Sequence, residues 1–154
     1  MGGYNVWRTT DGGNYWRKLM PTGKTLGLVC APDYEKSGEV FLVSQSKGLM
    51  RSRDRGDTWQ PITGSFHGYS PTKIRLSPNF EQDSTVFVST VSGGMFKSVD
   101  RGDSWKQCAP LGGLGDACFD FIISPDYGAD KTIFACTFGG MIRTTDDAKT
   151  WKLL

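Results

Sequence analysis

The sequence has little of what most catalytic and metal sites require. It contains one histidine, His67, and three glutamates, Glu35, Glu39 and Glu81, in 154 residues. No His-x-x-x-His or Cys-x-x-Cys spacing occurs, which argues against a zinc site. We therefore predict no metal and no cofactor, and we assign no catalytic residue.

Long apolar runs and a strong charge imbalance are also absent. No stretch approaches the roughly 20 apolar residues that cross a bilayer, and the start of the chain lacks a charged region followed by an apolar one. The net charge is +2, with basic residues interspersed with aspartate. We expect neither a membrane nor a nucleic acid as a partner. The compartment is left open, because the chain starts in what resembles the middle of a repeat.

Glycine, proline and tryptophan are plentiful by contrast, with 20, 7 and 5 copies. This composition fits many short elements joined by tight turns, which is commoner in all-β proteins than in helical ones. Helices are therefore not expected to dominate the fold.

Four segments of the sequence align with one another without gaps. They are RTTDGGNYW from Arg8, RSRDRGDTW from Arg51, KSVDRGDSW from Lys97 and RTTDDAKTW from Arg143. Their aspartates lie 43, 46 and 46 residues apart, at Asp11, Asp54, Asp100 and Asp146. A period near 45 residues predicts one four-stranded propeller blade per repeat.

Apolar, β-branched runs at 40–43, 86–89 and 133–136 precede the last three of these segments. Such continuous runs predict middle strands buried on both faces, between neighbouring blades. We label the strands of a blade A to D from the axis outward, which places each aspartate segment in the C-to-D turn. The prediction is one all-β domain of about three and a half blades, with a half blade at 1–19 and full blades at 23–62, 70–109 and 116–154.

The aspartate segments resemble the Asp-box, or BNR, repeat (S/T)-x-D-x-G-x-(T/S)-W. This repeat occurs in sialidases, xyloglucan-cleaving glycoside hydrolases, sortilin-type receptors and photosystem assembly factors. The segments from Ser52 and from Ser98 match in full, whereas Tyr15 and Ala148 depart from the pattern in the outer two copies. The resemblance implies a β-propeller with a sialidase-like fold.

We interpret the Asp-box residues as parts of the fold. A short aspartate side chain accepts backbone hydrogen bonds and closes a turn, glycine supplies positive φ, and tryptophan buries a large ring. Calcium is the weaker interpretation, since no EF-hand spacing with a closing glutamate is present. The residues assigned this structural role are Asp11, Trp16, Asp54, Gly56, Trp59, Asp100, Gly102, Trp105, Asp146 and Trp151.

Binding residues are expected on one face of the blades. Alternating strands put the A-to-B and C-to-D turns on one face, and the B-to-C turns and D-to-A linkers on the other, which we call the linker face. The resemblance implies that ligands bind at the linker face, near 19–25, 62–72, 108–118 and the turns around Lys47, Ser92 and Phe138. For the lone His67, a solvated loop residue is the commoner role. The candidate binding residues are His67, Tyr69, Lys73, Arg75, Asp116, Asp120 and Phe138.

Glycosidase chemistry finds little support in this chain. A sialidase requires an arginine cluster, a tyrosine nucleophile with a glutamate partner, and an acid. No Arg-Ile-Pro element occurs, and all three glutamates fall in or beside the A-to-B turns, opposite the linker face. A larger parent enzyme could still carry its carboxylates in further blades.

The four cysteines are expected to be mostly buried free thiols. Cys30 aligns with Leu76 and Ile123 at a core position of strand A. Pairing Cys108 with Cys118 would cross three strand spacings of about 4.8 Å, beyond the roughly 7 Å Cα limit for a disulfide.

An arc of three and a half blades leaves apolar faces and strand edges exposed. We expect either a homo-oligomer, with a dimer favoured because two chains supply about seven blades' worth of strands, or a larger propeller that supplies the other blades. The leading function is a non-catalytic binding or scaffold module that self-associates and binds a protein or glycan. The alternatives are a fragment of a sialidase-like or other glycoside hydrolase, and an engineered or evolutionary fragment whose property is assembly.

Overall fold

The structure is a computed structural model that describes residues 5–21, 23–64, 68–111 and 116–154. A two-stranded antiparallel sheet, the half blade, pairs β1 (Asn5–Arg8) with β2 (Arg17–Pro21). Three four-stranded antiparallel sheets follow, each with its strands in chain order. Blade 1 contains β3 (Thr25–Cys30), β4 (Val40–Ser44), β5 (Gly48–Ser52) and β6 (Gln60–Pro61).

Blades 2 and 3 repeat the arrangement of blade 1. Blade 2 contains β7 (Pro71–Leu76), β8 (Val86–Thr90), β9 (Met95–Ser98) and β10 (Lys106–Gln107). Blade 3 contains β11 (Cys118–Ile123), β12 (Ile133–Thr137), β13 (Gly140–Thr144) and β14 (Lys152–Leu153). The inner strand of each full blade carries a register shift near its start, at the end that faces the linkers.

Each A-to-B connection holds a single helical turn, where the sequence predicts only a proline-containing turn. These are α1 (Tyr34–Ser37), α2 (Phe80–Asp83) and α3 (Tyr127–Asp130). Each helix stops after one turn because the next residue, Gly38, Ser84 or Lys131, adopts a left-handed conformation and returns its N–H to the first helical carbonyl. None of the helices in the described part of the chain has the length and apolar character of a membrane span.

The hydrophobic core lies between the blades, in three clusters. The first joins the half blade to blade 1 through Val6, Leu42 and Met50. The second joins blade 1 to blade 2, and the third joins blade 2 to blade 3. Every residue of β4 and β8 is buried, as predicted for strands sandwiched between two blades. Packing between blades therefore holds the arc together.

Two of the sequence-based burial predictions are wrong. In β12, Cys136 is exposed and Phe134 is only partly buried, because no described residue covers the outer face of blade 3. Cys30 is also exposed, because the described residues of the half blade form no inner strands that could cover the inner strand of blade 1. All four cysteines are free thiols, but only Cys118 is fully buried.

Candidate functional site

The linker face carries a cavity between blades 1 and 2, with a volume of about 440 Å³. Its walls come from the β4–β5 turn, from residues 68–71 of the linker, and from Val91 in the β8–β9 turn. A second cavity of about 280 Å³ adjoins it and shares Tyr69 and Pro71. Tyr69 therefore stands between two concave spaces on this face.

The position of Tyr69 is fixed by the turn beneath it. Its ring packs on Phe96, with centroids 5.8 Å apart, and it remains 38% exposed. The ring also lies against Gly93, where an added Cβ would come within 2.5 to 2.8 Å of three ring carbons. A side chain at position 93 would push the tyrosine away, so the glycine is needed for this close approach.

Three candidate residues of the inner strands connect neighbouring blades. The Arg75 guanidinium lies 3.1 Å from an Asp120 carboxylate oxygen, and Phe121 N–H donates to the same carboxylate at 2.9 Å. Lys73 donates from Nζ to the Leu26 carbonyl at 3.2 Å. Lys73 thus links blade 2 to blade 1, and Arg75 links blade 2 to blade 3.

The remaining candidates lie at the blade 3 end of the linker face. Phe138 is 76% exposed, and its ring meets Phe119 edge to face at 4.5 Å. The Asp116 carbonyl accepts a hydrogen bond from Gly94 N–H at 2.5 Å.

The structure brings together only part of the predicted set. Arg75 and Asp120 form one pair, but among the described residues no hydrogen bond or ion pair joins them to Tyr69, Asp116 or Phe138. His67 lies outside the described residues. Sequence reasoning missed Val91 and Phe119. Their equivalents in the other blades include apolar residues, Phe138 and Leu26, as well as polar ones, so position in the repeat gave no signal.

Three of the four thiols have pKa values shifted away from those of an activated nucleophile. Burial raises the pKa of Cys108 and of Cys118 to about 12, and burial also raises the pKa of Cys30. Reactive cysteines require the opposite shift, toward the thiolate.

The four aspartate segments form similar turns, in which the aspartate accepts from the backbone N–H four residues later and from the hydroxyl two residues earlier. In blade 1, Asp54 accepts from Thr58 N–H at 2.8 Å, from Thr58 Oγ1–H at 2.5 Å and from Ser52 Oγ–H at 2.8 Å. Ser52 Oγ in turn accepts from Gly56 N–H at 2.7 Å, and Trp59 Nε1–H donates to the Gly56 carbonyl at 2.9 Å. The carboxylate oxygens are therefore occupied by groups of the turn itself.

These hydrogen bonds favour the ionised carboxylates. The hydroxyls of Thr58, Ser104 and Thr150, together with the turn's backbone N–H groups, lower the pKa of Asp54, Asp100 and Asp146 to about 2. The pKa of Asp11 is also lowered, mainly by the Tyr15 N–H, in the turn that has tyrosine at the hydroxyl position.

Replacing Asp100 by asparagine is expected to change the acid stability of the protein. A carboxylate with a depressed pKa stabilises the fold above its unfolded-state value near 3.8, and this stabilisation is lost as the pH falls toward about 2. Asp100→Asn should therefore be less stable at pH 7 and lose less stability on acidification, measured by urea unfolding from pH 7 to pH 2. Asp11→Asn is the matched control and should show a smaller effect. An unchanged acid slope in Asp100→Asn would contradict this account of the turns.

Comparisons with known proteins give the fold but not a family. No protein-family profile and no curated protein matches the chain. Among solved structures, it is similar to a GH74 enzyme from Niastella koreensis, at 17% identity and a TM-score of 0.76, over 97% of this chain and 26% of that one. It is also similar to YCF48 from Cyanidioschyzon merolae, at 18% identity and a TM-score of 0.62, over 83% of this chain and 36% of that one.

A third solved structure, YCF48 bound to D1 peptide, matches at 18% identity and a TM-score of 0.68, over 96% of this chain and 46% of that one. The chain thus spans less than half the length of each of these proteins. Similarity at such identities shows the fold alone. Together with the strand arrangement, it confirms the predicted all-β architecture: the chain is part of a β-propeller.

Proposed function

We propose that this chain is a non-catalytic binding module of the Asp-box propeller type, and that it binds a protein segment at its linker face. The observation that carries the proposal is the cavity of about 440 Å³ beside the half-exposed Tyr69. Its size is within the range of small ligand sites, and exposed tyrosines are enriched where proteins bind one another. Val91 and Leu26 add apolar surface, and Lys24 adds a positive charge.

The aspartate turns support both the Asp-box assignment and a structural role for these residues. Each carboxylate oxygen of Asp54 already accepts hydrogen bonds from its own turn, and the same holds for Asp100 and Asp146. Such occupied carboxylates have little capacity left for a ligand. The binding groups are therefore sought on the linker face, which lies opposite these turns.

A glycan is the second candidate ligand, because Tyr69 lies beside hydroxyl and amide groups of Ser44, Gln45 and Ser70. An aromatic ring next to hydrogen-bonding side chains suits a sugar ring. A glycoside hydrolase is favoured less, although GH74 enzymes are among the similar structures. The two carboxylates that could act in such an enzyme are Asp116 and Asp120. The Asp120 carboxylate already accepts hydrogen bonds from Arg75 and from the Phe121 N–H.

Self-association is the scaffold part of the proposal. Both ends of the arc expose large apolar side chains, including Trp7 and Trp16 in the half blade and Met141 in blade 3. A monomer rarely leaves such faces open to water. We therefore infer that the chain presents its linker face from an assembly.

The binding proposal is tested by replacing Tyr69 with alanine. We expect Tyr69→Ala to weaken binding of a peptide selected from a peptide array by roughly tenfold or more, because buried tyrosines contribute strongly at interfaces. Tyr15→Ala is the matched control, since Tyr15 is 70% exposed in the first aspartate turn, away from the linker face, and it should bind normally. Equal losses in both variants, or no peptide bound by the unmodified protein, would contradict the proposal.

Xyloglucan oligosaccharides provide the second arm of the same experiment. Binding of the sugar that is lost in Tyr69→Ala would identify a glycan as the ligand. Hydrolysis that is lost in Asp116→Asn or Asp120→Asn would establish an enzyme and refute the non-catalytic assignment.

A further inference from the structure

The outer face of blade 3 is built like the faces that other blades bury. Met141 lies five residues before the turn aspartate, the position that Leu49 and Met95 occupy in blades 1 and 2. Leu49 and Met95 are 2% and 1% exposed, whereas Met141 is 50% exposed. Ile122 and Cys136 are exposed on the same sheet. Blade 3 thus has an apolar face without a described neighbour.

The half blade, at the opposite end of the arc, also exposes side chains at positions that are buried in the other blades. Trp7 lies four residues before the first turn aspartate, where Met50, Phe96 and Ile142 are all buried. Trp16 corresponds to Trp105, which is buried against blade 1, yet Trp16 is 52% exposed. These two tryptophans form the face of the half blade that a preceding blade would cover.

A polar contact also repeats at every junction between blades. The residue three positions before each of the first three turn aspartates reaches the aspartate turn of the next blade. Arg8 contacts the Arg55 carbonyl and Asp57. Arg51 donates to the Arg101 carbonyl at 2.7 Å and to Asp103 at 2.6 Å.

Lys97 continues the series, because it donates to Asp147 of blade 3 at 2.6 Å. Arg143 is the fourth member, and the described residues contain no partner for its side chain. The same contact on the half blade would lead to the Gly12 carbonyl and to Asn14, which occupy the positions of Arg101 and Asp103. The two ends of one chain therefore match in apolar character and in the groups available for polar contacts.

We propose that a second copy of this chain docks head to tail, with the half blade of one copy on the outer face of blade 3 of the other. This inference rests on the self-association part of the proposed function and names its interface. Met141 then contacts Trp7 and Trp16, and Arg143 reaches the first aspartate turn of the next copy. The contact is heterologous, because different surfaces of the two copies meet. It forms a ring if the rotation between copies closes, and an open chain of copies otherwise.

The first test compares Met141→Glu and Trp7→Glu with the matched control Val99→Glu. Val99 is 61% exposed in an aspartate turn and lies on neither open face. Placing an unpaired charge in the apolar contact should weaken self-association by more than about a hundredfold. Mass photometry and sedimentation equilibrium should show association for the unmodified protein and Val99→Glu, and the 17.0 kDa monomer for the other two variants. Circular dichroism checks that each variant is folded.

Mixing the two monomeric variants distinguishes head-to-tail pairing from every other mode. Met141→Glu keeps an intact half blade, and Trp7→Glu keeps an intact blade 3 face, so together they form one intact junction. We expect a 1:1 heterodimer that cannot grow further. If the unmodified protein associates but the mixture stays monomeric at the same concentration, the proposed interface is wrong, although self-association itself stands. If the unmodified protein is a monomer, both the interface and self-association are wrong. Neither result affects the peptide-binding test.

A gain of affinity tests the polar contact. Asn14→Asp recreates the aspartate found in the next two turns, and it should tighten association by roughly threefold at low salt, the usual effect of a single exposed ion pair. The gain should disappear in an Arg143→Gln background and at high salt. An Asn14→Asp gain that is unchanged by Arg143→Gln would contradict the assigned pair.

Discussion

Trp105→Ala is expected to lower the free energy of unfolding by about 3–5 kcal/mol, the usual cost of truncating a large buried aromatic side chain. Trp105 is 8% exposed and packs in the cluster that joins blades 1 and 2. Its Nε1–H donates to the Gly102 carbonyl at 3.0 Å. Removing the ring leaves a cavity at the junction that holds the two blades together.

The control for this prediction is Trp16→Ala in the half blade. Trp16 makes the same hydrogen bond, to the Gly13 carbonyl at 3.0 Å, but its ring is 52% exposed. Measured on the dissociated chain, its replacement should cost about 1 kcal/mol or less, because little apolar area is lost from the fold. The difference between the two variants in urea unfolding isolates burial between blades. Equal costs would contradict the role of blade junctions in stability.

Arg101→Met is expected to destabilise the protein by about 3 kcal/mol, because it leaves a buried carboxylate without its main partner. Glu39 is 2% exposed and lies 2.8 Å from the Arg101 guanidinium, which also contacts Asp33 at 2.7 Å. The nearest remaining cations, Arg53 and Arg51, lie 3.5 and 3.9 Å from the carboxylate. The ion pair joins the start of β4 to the aspartate turn of blade 2.

Arg55→Met provides the matched control. Arg55 occupies the equivalent position in the preceding turn, with φ of +62° against +59° for Arg101. Its guanidinium donates to the exposed Glu35 carbonyl at 2.9 Å and forms no ion pair with a buried carboxylate among the described residues, so its replacement should cost roughly 0.5 kcal/mol. The double variant Arg101→Met with Glu39→Gln should recover part of the loss. A double variant that is no better than Arg101→Met would show that lost packing on Phe80, not the buried charge, causes the effect.

The regular parts of the fold were predictable from local sequence patterns. The run that includes 86–89 predicts a buried strand, and β8 spans Val86–Thr90 with every residue buried. The aspartate period predicts the C-to-D turns. These features depend on residues close in sequence, which a single chain displays directly.

The errors came from properties that depend on neighbouring blades. Cys136 is at a position that is buried in blades 1 and 2, but it is exposed because its blade ends the described arc. The sequence also predicted an arc that does not close, and an open arc leaves this position exposed. The prediction of a buried Cys136 was therefore inconsistent with the prediction of an open arc. The pairing of Arg51 with Asp103 joins residues 52 positions apart across a junction, and no local pattern indicates it.

For the candidate site, the sequence predicted which face of the blades carries it but not how its residues contact one another. Turn order identifies the linker face, but the pairing of Arg75 with Asp120 depends on how adjacent inner strands are offset. The close approach of Tyr69 to Gly93 depends on two loops that meet in space. The prediction for His67 lies outside the described residues and stays a prediction.

We propose that the two exposed ends of this propeller arc are the two halves of one more blade junction. Sedimentation equilibrium of the unmodified chain over a wide concentration range tests it most directly. We predict a mass that rises from 17.0 kDa to a multiple of that value, and that stays at 17.0 kDa in Met141→Glu. A folded protein that remains at 17.0 kDa at every concentration, or a Met141→Glu variant that associates as the unmodified chain does, would contradict it.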